Sequence, residues 1–422
     1  MRTALQQLPW HWLPAALTLV MILYWHIDVP YHDQWDLLPL LQAKSEGTLT
    51  WQAMLAPHNG HILLLPRAIM LVLATLTHWN TLAEVLFSFG CILACWHILR
   101  IFTTQLLTRA LSKPEQFCLA LLVFSWAQAQ NWLWGWQLQI PLALLCSLCG
   151  FASLLLLRNS FIAFVVALVF GVAASVSFAG CLPYWMAALP LLWQREKILL
   201  LPWLLFSAVG AAAYLQLLHN TAPTSFNTLS INTFAPLSLL SGSLLVLGNL
   251  VARYYTLVAL LSALVMLFVI VIASATHSQT KAQRTIALSL LLFSVGSALL
   301  IAATRGGMGS EQMLASRYGT LTLPLLVVAF AALRSNTALW SKALSALLLV
   351  SCIGSSVYSV KELRQLHNRL QNGATALALL QTNPNDETGQ KKLVAINPRT
   401  DQQKALQEVK LLQQYGLSFY RQ

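Results

Sequence analysis

Long apolar runs, separated by short polar interruptions, fill the chain from about residue 8 to residue 358. A spanning helix needs about 20 apolar residues. Runs of that kind predict spans at 8–27, 81–107, 116–132, 138–157, 160–178, 181–194, 198–217, 254–273, 285–303, 318–333 and 338–358. Two further apolar stretches, 62–79 and 236–250, are read as interfacial or re-entrant helices on the outer face. The first carries Pro66 and Arg67 where a bilayer core would penalise them, and Arg253 follows the second. Beyond residue 360 the pattern becomes polar. An amphipathic helix is expected over 361–381, then a turn at TNPNDETG, then a helix over 401–415 ended by Gly416.

Composition agrees. Of 422 residues 57% are hydrophobic and 9% charged, where a soluble domain is nearer a quarter charged. The expected fold is all-α: a polytopic membrane protein of about eleven transmembrane helices. The formal charge of +12 comes without a basic aromatic patch or nucleic-acid motif, which excludes nucleic acid as partner and leaves the lipid bilayer. The cations instead sit at the ends of apolar runs. With Arg2 inside, the inner loops hold Arg100, Arg109 and Lys113, then Arg158, then Arg195 and Lys197, then Lys281 and Arg284, then Arg334 and Lys342. That order requires 62–79 not to span. The first run has no small-x-small cleavage site after it and reads as a retained signal-anchor. The organisation expected is thus an anchor at 1–27, an outer loop with an interfacial helix at 28–80, a multi-span region at 81–358, and a small polar outer segment at 359–422. All seven cysteines lie in or beside apolar runs, and the CxxC of Cys146 and Cys149 reads as buried small hydrophobes.

Charge of the other sign is concentrated. The run from Asp28 to His61 holds four of the thirteen acidic residues, whereas between residues 116 and 361 the acids are Glu196 and Glu311. Asp33 and Asp36 are candidate general bases for an acceptor hydroxyl, or ordinary helix caps. Pro30 and Pro39 favour an extended or turn-rich segment around them. His58, Asn59 and His61 in PHNGH could hold a phosphate or sugar hydroxyl, carry protons, or start a helix. They could ligate a metal with Asp33, but spacing forces no third or fourth ligand, so no metal or other cofactor is expected. Arg67 closes the same motif, PHNGHILLLPR. Trp134 and Gln137 in QNWLWGWQLQ fit a sugar platform or an interfacial aromatic belt. Arg305 in TRGGMG, with Arg317 and Tyr318 in ASRYG, suits a lipid-linked phosphate, or binds lipid head groups without specificity.

The motif order YHDQWDLLPLL, PHNGHILLLPR, QNWLWGWQLQ, SVSFAGCLPYW and SRYG, over residues 28 to 320, resembles the GT-C superfamily of polyprenyl-phosphate-sugar-dependent glycosyltransferases. Within it, the motifs look like a bacterial group of membrane proteins. The resemblance implies an acidic base in the first outer loop, here Asp33 or Asp36, and phosphate-binding arginines, here Arg305 and Arg317. It implies transfer of a sugar from a polyprenyl-phosphate donor to a glycan, lipid or protein acceptor, on the periplasmic face of the bacterial inner membrane. The paired acids of metal-dependent members are missing from the second outer loop, which points to metal-independent chemistry. HNGH departs from the family's more polar run, with Gly60 and Ile62 where charge is expected. The rival readings are a transporter or flippase of a lipid-linked or anionic solute, and a non-catalytic partner in surface-polysaccharide assembly.

Overall fold

The computed structural model describes residues 9–221, 236–276, 279–398 and 401–421; Arg2 lies outside them. Every named element among the described residues is helical. Among the described residues, seven helices are long and apolar enough to cross a membrane: Thr81–Leu107, Gly135–Leu156, Lys197–His219, Thr256–Ala275, Lys281–Met308, Ser316–Arg334 and Leu339–Thr382. The chain is a polytopic membrane protein, and these seven coincide with seven of the expected spans.

The other four expected spans are shorter or broken. Leu13–Trp25 and Ser160–Ser175 are single short helices. The run at 181–194 is split into Tyr184–Ala187 and Leu189–Arg195, each opened by a proline, where a missing amide is harmless. The run at 116–132 is helical over Lys113–Val123, stops at Phe124, and resumes as the 3-10 turn Trp126–Gln128 and the helix Ala129–Leu133. Such a break frees carbonyls in apolar surroundings, where an unpartnered group is costly. Side chains answer them. Thr18 donates to the Phe124 carbonyl at 3.1 Å, Gln128 to Val123 at 2.9 Å, and Trp132 to Ser125 at 3.0 Å.

The two surface-helix candidates are shorter apolar helices with contacts at the Arg305 end of the bundle, and Pro236–Ala252 is buried throughout Leu245 to Ala252. Leu64–Thr77, at about 1.5 Å per residue, is roughly 21 Å long, short of a bilayer core of about 30 Å. It buries Pro66, Arg67, Met70, Leu71 and Ala74 on one face and exposes Val72 and Leu76. His61, just before it, meets Arg305; Thr81, just after it, bonds Asp28. In Pro236–Ala252, Gly242 lies against Ala302 and Met313, while the Asn249 amide donates to the carbonyls of Met313 and Ala315. The arginine-bearing loops meet at the opposite end. Arg109 and Arg334 share the Glu115 carboxylate at 2.7 and 3.0 Å, and Arg195 donates to the carbonyls of Leu154 and Arg158 at 2.7 and 3.0 Å.

The last span does not stop at the apolar boundary. Leu339–Thr382 is one helix of 44 residues, roughly 66 Å at 1.5 Å per residue. Its buried stripe is Ser341, Ser345, Leu348, Cys352, Ser355 and Ser359, then Leu363, Leu366, Leu370, Gly373, Leu377 and Leu380. The change from small polar to large apolar residues marks a change of solvent. Lipid gives no hydrophobic drive between helices, so close packing of small residues does the work there, whereas leucines pack the part that meets water. The helix then turns back through Glu387–Leu393 and Gln402–Gln414.

The cysteines are buried or half-buried, so added thiols can report topology. Single cysteines at exposed Glu46, Glu311 and Asn385 should react with a membrane-impermeant maleimide from one side of the membrane, and those at exposed Arg158 and Lys281 from the other. Labelling of Glu46 and Arg158 sites from the same side would overturn this arrangement.

Candidate functional site

Residues His32–Leu37 form a 3-10 turn, the turn-rich of the two forms that Pro30 and Pro39 favoured. Pro30 lies before the turn, and Pro39 sits in the first turn of the next helix, Leu38–Ser45, where it is tolerated. Gln34, Trp35 and Leu37 face inward and are buried. Residues three apart eclipse in such a turn, so Asp33 and Asp36 share the other face. Neither aspartate caps a helix: Tyr31 is the cap of the turn, and Leu37 precedes the helix.

Facing them is a hairpin, not a helix start. His58 and His61 exchange backbone hydrogen bonds at 2.8 and 2.9 Å. The two residues between them, Asn59 and Gly60, have φ of +48° and +81°. A two-residue turn with both φ positive calls for Asn-Gly. Gly60 therefore stands where the family resemblance led us to expect charge because the backbone requires it. Arg67 supports the hairpin from below: it is buried and donates to the carbonyls of Met54 and Ala56. Its guanidinium holds the loop rather than lining an open surface, which revises its expected place among substrate ligands.

His58 joins the two aspartates. Its Nε2 lies 3.5 Å from Asp33 Oδ2 and its Nδ1 3.3 Å from Asp36 Oδ2, with the imidazole 13% exposed. Burial alone would lower its pKa, but hydrogen bonds and charge from Asp33 and Asp36 outweigh it and hold the ring at about 9. His61, three residues on, is driven the other way, to about 3, by burial and then by the charges of Arg305, His58 and Arg317. The surroundings thus favour the charged form of one histidine and the neutral form of the other. Asp33, Asp36 and His58 also offer one ligand atom each within 4.8 Å, compact enough for a metal ion. Yet His58 turns a different nitrogen to each carboxylate, which suits a shared imidazolium.

The arginines stand across the hairpin. Arg305 donates to the Asn59 carbonyl at 2.8 Å and approaches His61 Nε2 at 3.4 Å. Arg317 donates to Gln130 at 2.8 Å and stacks over Tyr318, its centre 4.8 Å from the ring. No carboxylate pairs with either arginine among the described residues. Tyr318 is itself buried.

The tryptophans are neither an open sugar platform nor a lipid-facing belt: Trp132, Trp134 and Trp136 are all buried. Trp136 meets the His58 ring edge-on at 5.0 Å, and Trp134 meets His32 at 5.8 Å while donating to the Tyr31 carbonyl. Gln137 is buried, with its carbonyl oxygen unpartnered. Beneath them, the buried Glu84 carboxyl accepts from Gln34 at 2.7 Å and from Trp79 at 2.9 Å. The backbone of Gly135 passes so close that a Cβ would lie 2.3 Å from Glu84 Oε2.

Sequence reading missed His32, Gln34, Glu84 and the C-terminal Arg369 and Ile396. His32 and Gln34 were visible inside YHDQWD; the others carry no local signal, since contact alone brings them here. Burial, and the nearby Arg369 and Arg317 charges against Asp33, lower the His32 pKa.

Gly135→Ala should destabilise the protein by about 1–3 kcal/mol through overpacking against Glu84, seen as a lower melting temperature in detergent. His58 binds its proton more tightly folded (about 9) than free (6.5), so its stabilisation is full below pH 6.5 and disappears as pH rises through 9. Melting temperature should therefore fall more steeply between pH 7 and 9.5 in the native protein than in His58→Gln; parallel curves would refute the pairing. No family model, curated protein or solved structure matches the chain.

Proposed function

We propose that the protein is a membrane glycosyltransferase of the GT-C type, moving a sugar from a polyprenyl-phosphate donor to an acceptor at the outer face of a bacterial inner membrane. The observation that carries this reading is the opposition of two kinds of charge across one hairpin. Asp33 and Asp36 share the His58 ring on one side, and on the other no carboxylate pairs with Arg305 or Arg317 among the described residues. The first pair suits proton removal and the second suits a phosphate.

In the mechanism, Asp33 accepts the proton of an acceptor hydroxyl while that oxygen bonds to the anomeric carbon. The bond from that carbon to the phosphate oxygen breaks, inverting the centre, and lipid phosphate leaves. Arg305 and Arg317 stabilise the charge that develops on it, as preorganised cations do. His58 is shared by both carboxylates; Asp33 is taken as the base, and Asp36, which also feels the Arg67 charge, as its partner on the ring. No metal is invoked.

A transporter would be expected to place ionisable residues near the membrane midplane and to show internal repeats. Here the apolar stretches of Gly135–Leu156 and Thr256–Ala275 carry no charge, and those of Lys281–Met308 and Ser316–Arg334 carry charges only near their ends, which favours the enzyme.

Asp33→Asn should abolish transfer with expression unchanged, and Asp36→Asn should reduce it less. Purified protein in detergent should consume a polyprenyl-phosphate sugar, and Arg305→Gln should raise KM for that donor about tenfold or more, the scale of one lost charged contact. A normal surface glycan in a strain carrying Asp33→Asn would sink the assignment.

A further inference from the structure

His32 holds φ at +50°, a left-handed conformation that non-glycine residues seldom adopt and that persists only when surroundings impose it. What imposes it is the far end of the chain. The carbonyl of Ile396 accepts the His32 amide at 2.6 Å and the Trp35 indole at 3.1 Å. Arg369, on the long last helix, donates to the Tyr31 hydroxyl at 3.0 Å. Three attachments, at Tyr31, His32 and Trp35, thus fix the turn that carries Asp33 and Asp36.

The brace is itself fixed. Ile396 is fully buried and packs on Gly373, where a Cβ would come within 2.4 Å of the isoleucine side chain. Further along, Ser418 donates its amide to the His78 carbonyl at 2.9 Å, and Arg421 pairs with Asp28 at 3.2 Å. The C-terminal segment therefore grips both ends of the first loop, 28–36 and 78, with the candidate aspartates between. Gln34, held by Glu84 from the bundle, is the counter-anchor.

We infer that the C-terminal segment is a built part of the site, with Arg369 and Ile396 acting as positioning residues that set Asp33 and Asp36 against His58. The inference rests on the reading of those aspartates as the proton-accepting pair, and it gives that pair a determinant more than 330 residues away in sequence. A misplacement of about 1 Å in such a group can cost 100-fold in rate, so a tail contact that touches no substrate can still govern transfer.

The position of the carboxylates can be read without any substrate, because His58 reports it. The groups around His58 are Asp33 and Asp36 on the turn, Trp136 beneath, His61 across the hairpin, and Arg67 and Arg305 beyond. In full-length protein labelled with 13C-histidine, His58 (assigned by loss in His58→Gln) should titrate well above a free imidazole. Arg369→Ala, and separately Gly373→Ala, which pushes on Ile396, should each lower that midpoint by about one pH unit or more. Arg369→Lys, which keeps a donor, should restore it. The His367 signal, from a tail residue bonded to the Trp25 carbonyl, shows whether the segment is still docked. An unchanged His58 midpoint in both variants overturns the inference, and so does a midpoint that falls equally in Arg369→Lys. These results are independent of Asp33→Asn: sugar transfer surviving that change removes the catalytic reading, whereas the titration still reports what holds the turn.

Discussion

Asp28 accepts from both the amide and the hydroxyl of Thr81 at 2.8 Å and pairs with Arg421 at 3.2 Å. Ser418 reaches its backbone carbonyl at 3.3 Å. One carboxylate thereby joins the end of the first apolar helix, the start of the helix Thr81–Leu107 and the last turn of the chain. An exposed ion pair would contribute little to such a junction. Arg421 is exposed, so the junction rests chiefly on the two hydrogen bonds that the more sheltered Asp28 accepts from Thr81. The loop that holds Asp33, Asp36, His58 and His61 is strung between this junction and the Arg305 contact. Its geometry follows from where its two ends are pinned.

The same constraint runs through the bundle: a polar group withdrawn from water needs a partner inside. It explains why the break at Phe124 is decorated with Thr18, Gln128 and Trp132, and why Asn249 spans two carbonyls. It also explains the opposite behaviour of His58 and His61. Both are withdrawn from solvent, but one faces two carboxylates and the other faces a guanidinium. Burial sets the scale of the effect, and the neighbour's sign decides its direction.

Parts of the site were legible in sequence because they are local. The acids of YHDQWD, the Asn-Gly between two histidines, and the arginines of TRGGMG and ASRYG each announce themselves within a few residues. The roles of the tryptophans were not legible. Trp134 and Trp136 have the composition of a belt or a platform, and only packing shows that they lie beneath His32 and His58. Arg67 likewise looked like a ligand until its guanidinium was found on the carbonyls of Met54 and Ala56. Glu84 sits in the first turn of an apolar helix, and nothing around it in sequence points to Gln34, fifty residues earlier.

Hydropathy by itself determined the class of protein and seven of its long helices, because apolar length must match a fixed membrane thickness. Residue spacing determined that acids and histidines lie close along the chain. Tertiary structure alone decided that His58 lies between two carboxylates, that Arg305 and Arg317 face the same hairpin, and that Ile396 and Arg369 hold the turn. Those contacts join segments tens to hundreds of residues apart. Their energies depend on burial and on the sign of neighbouring charges, neither of which a linear pattern contains.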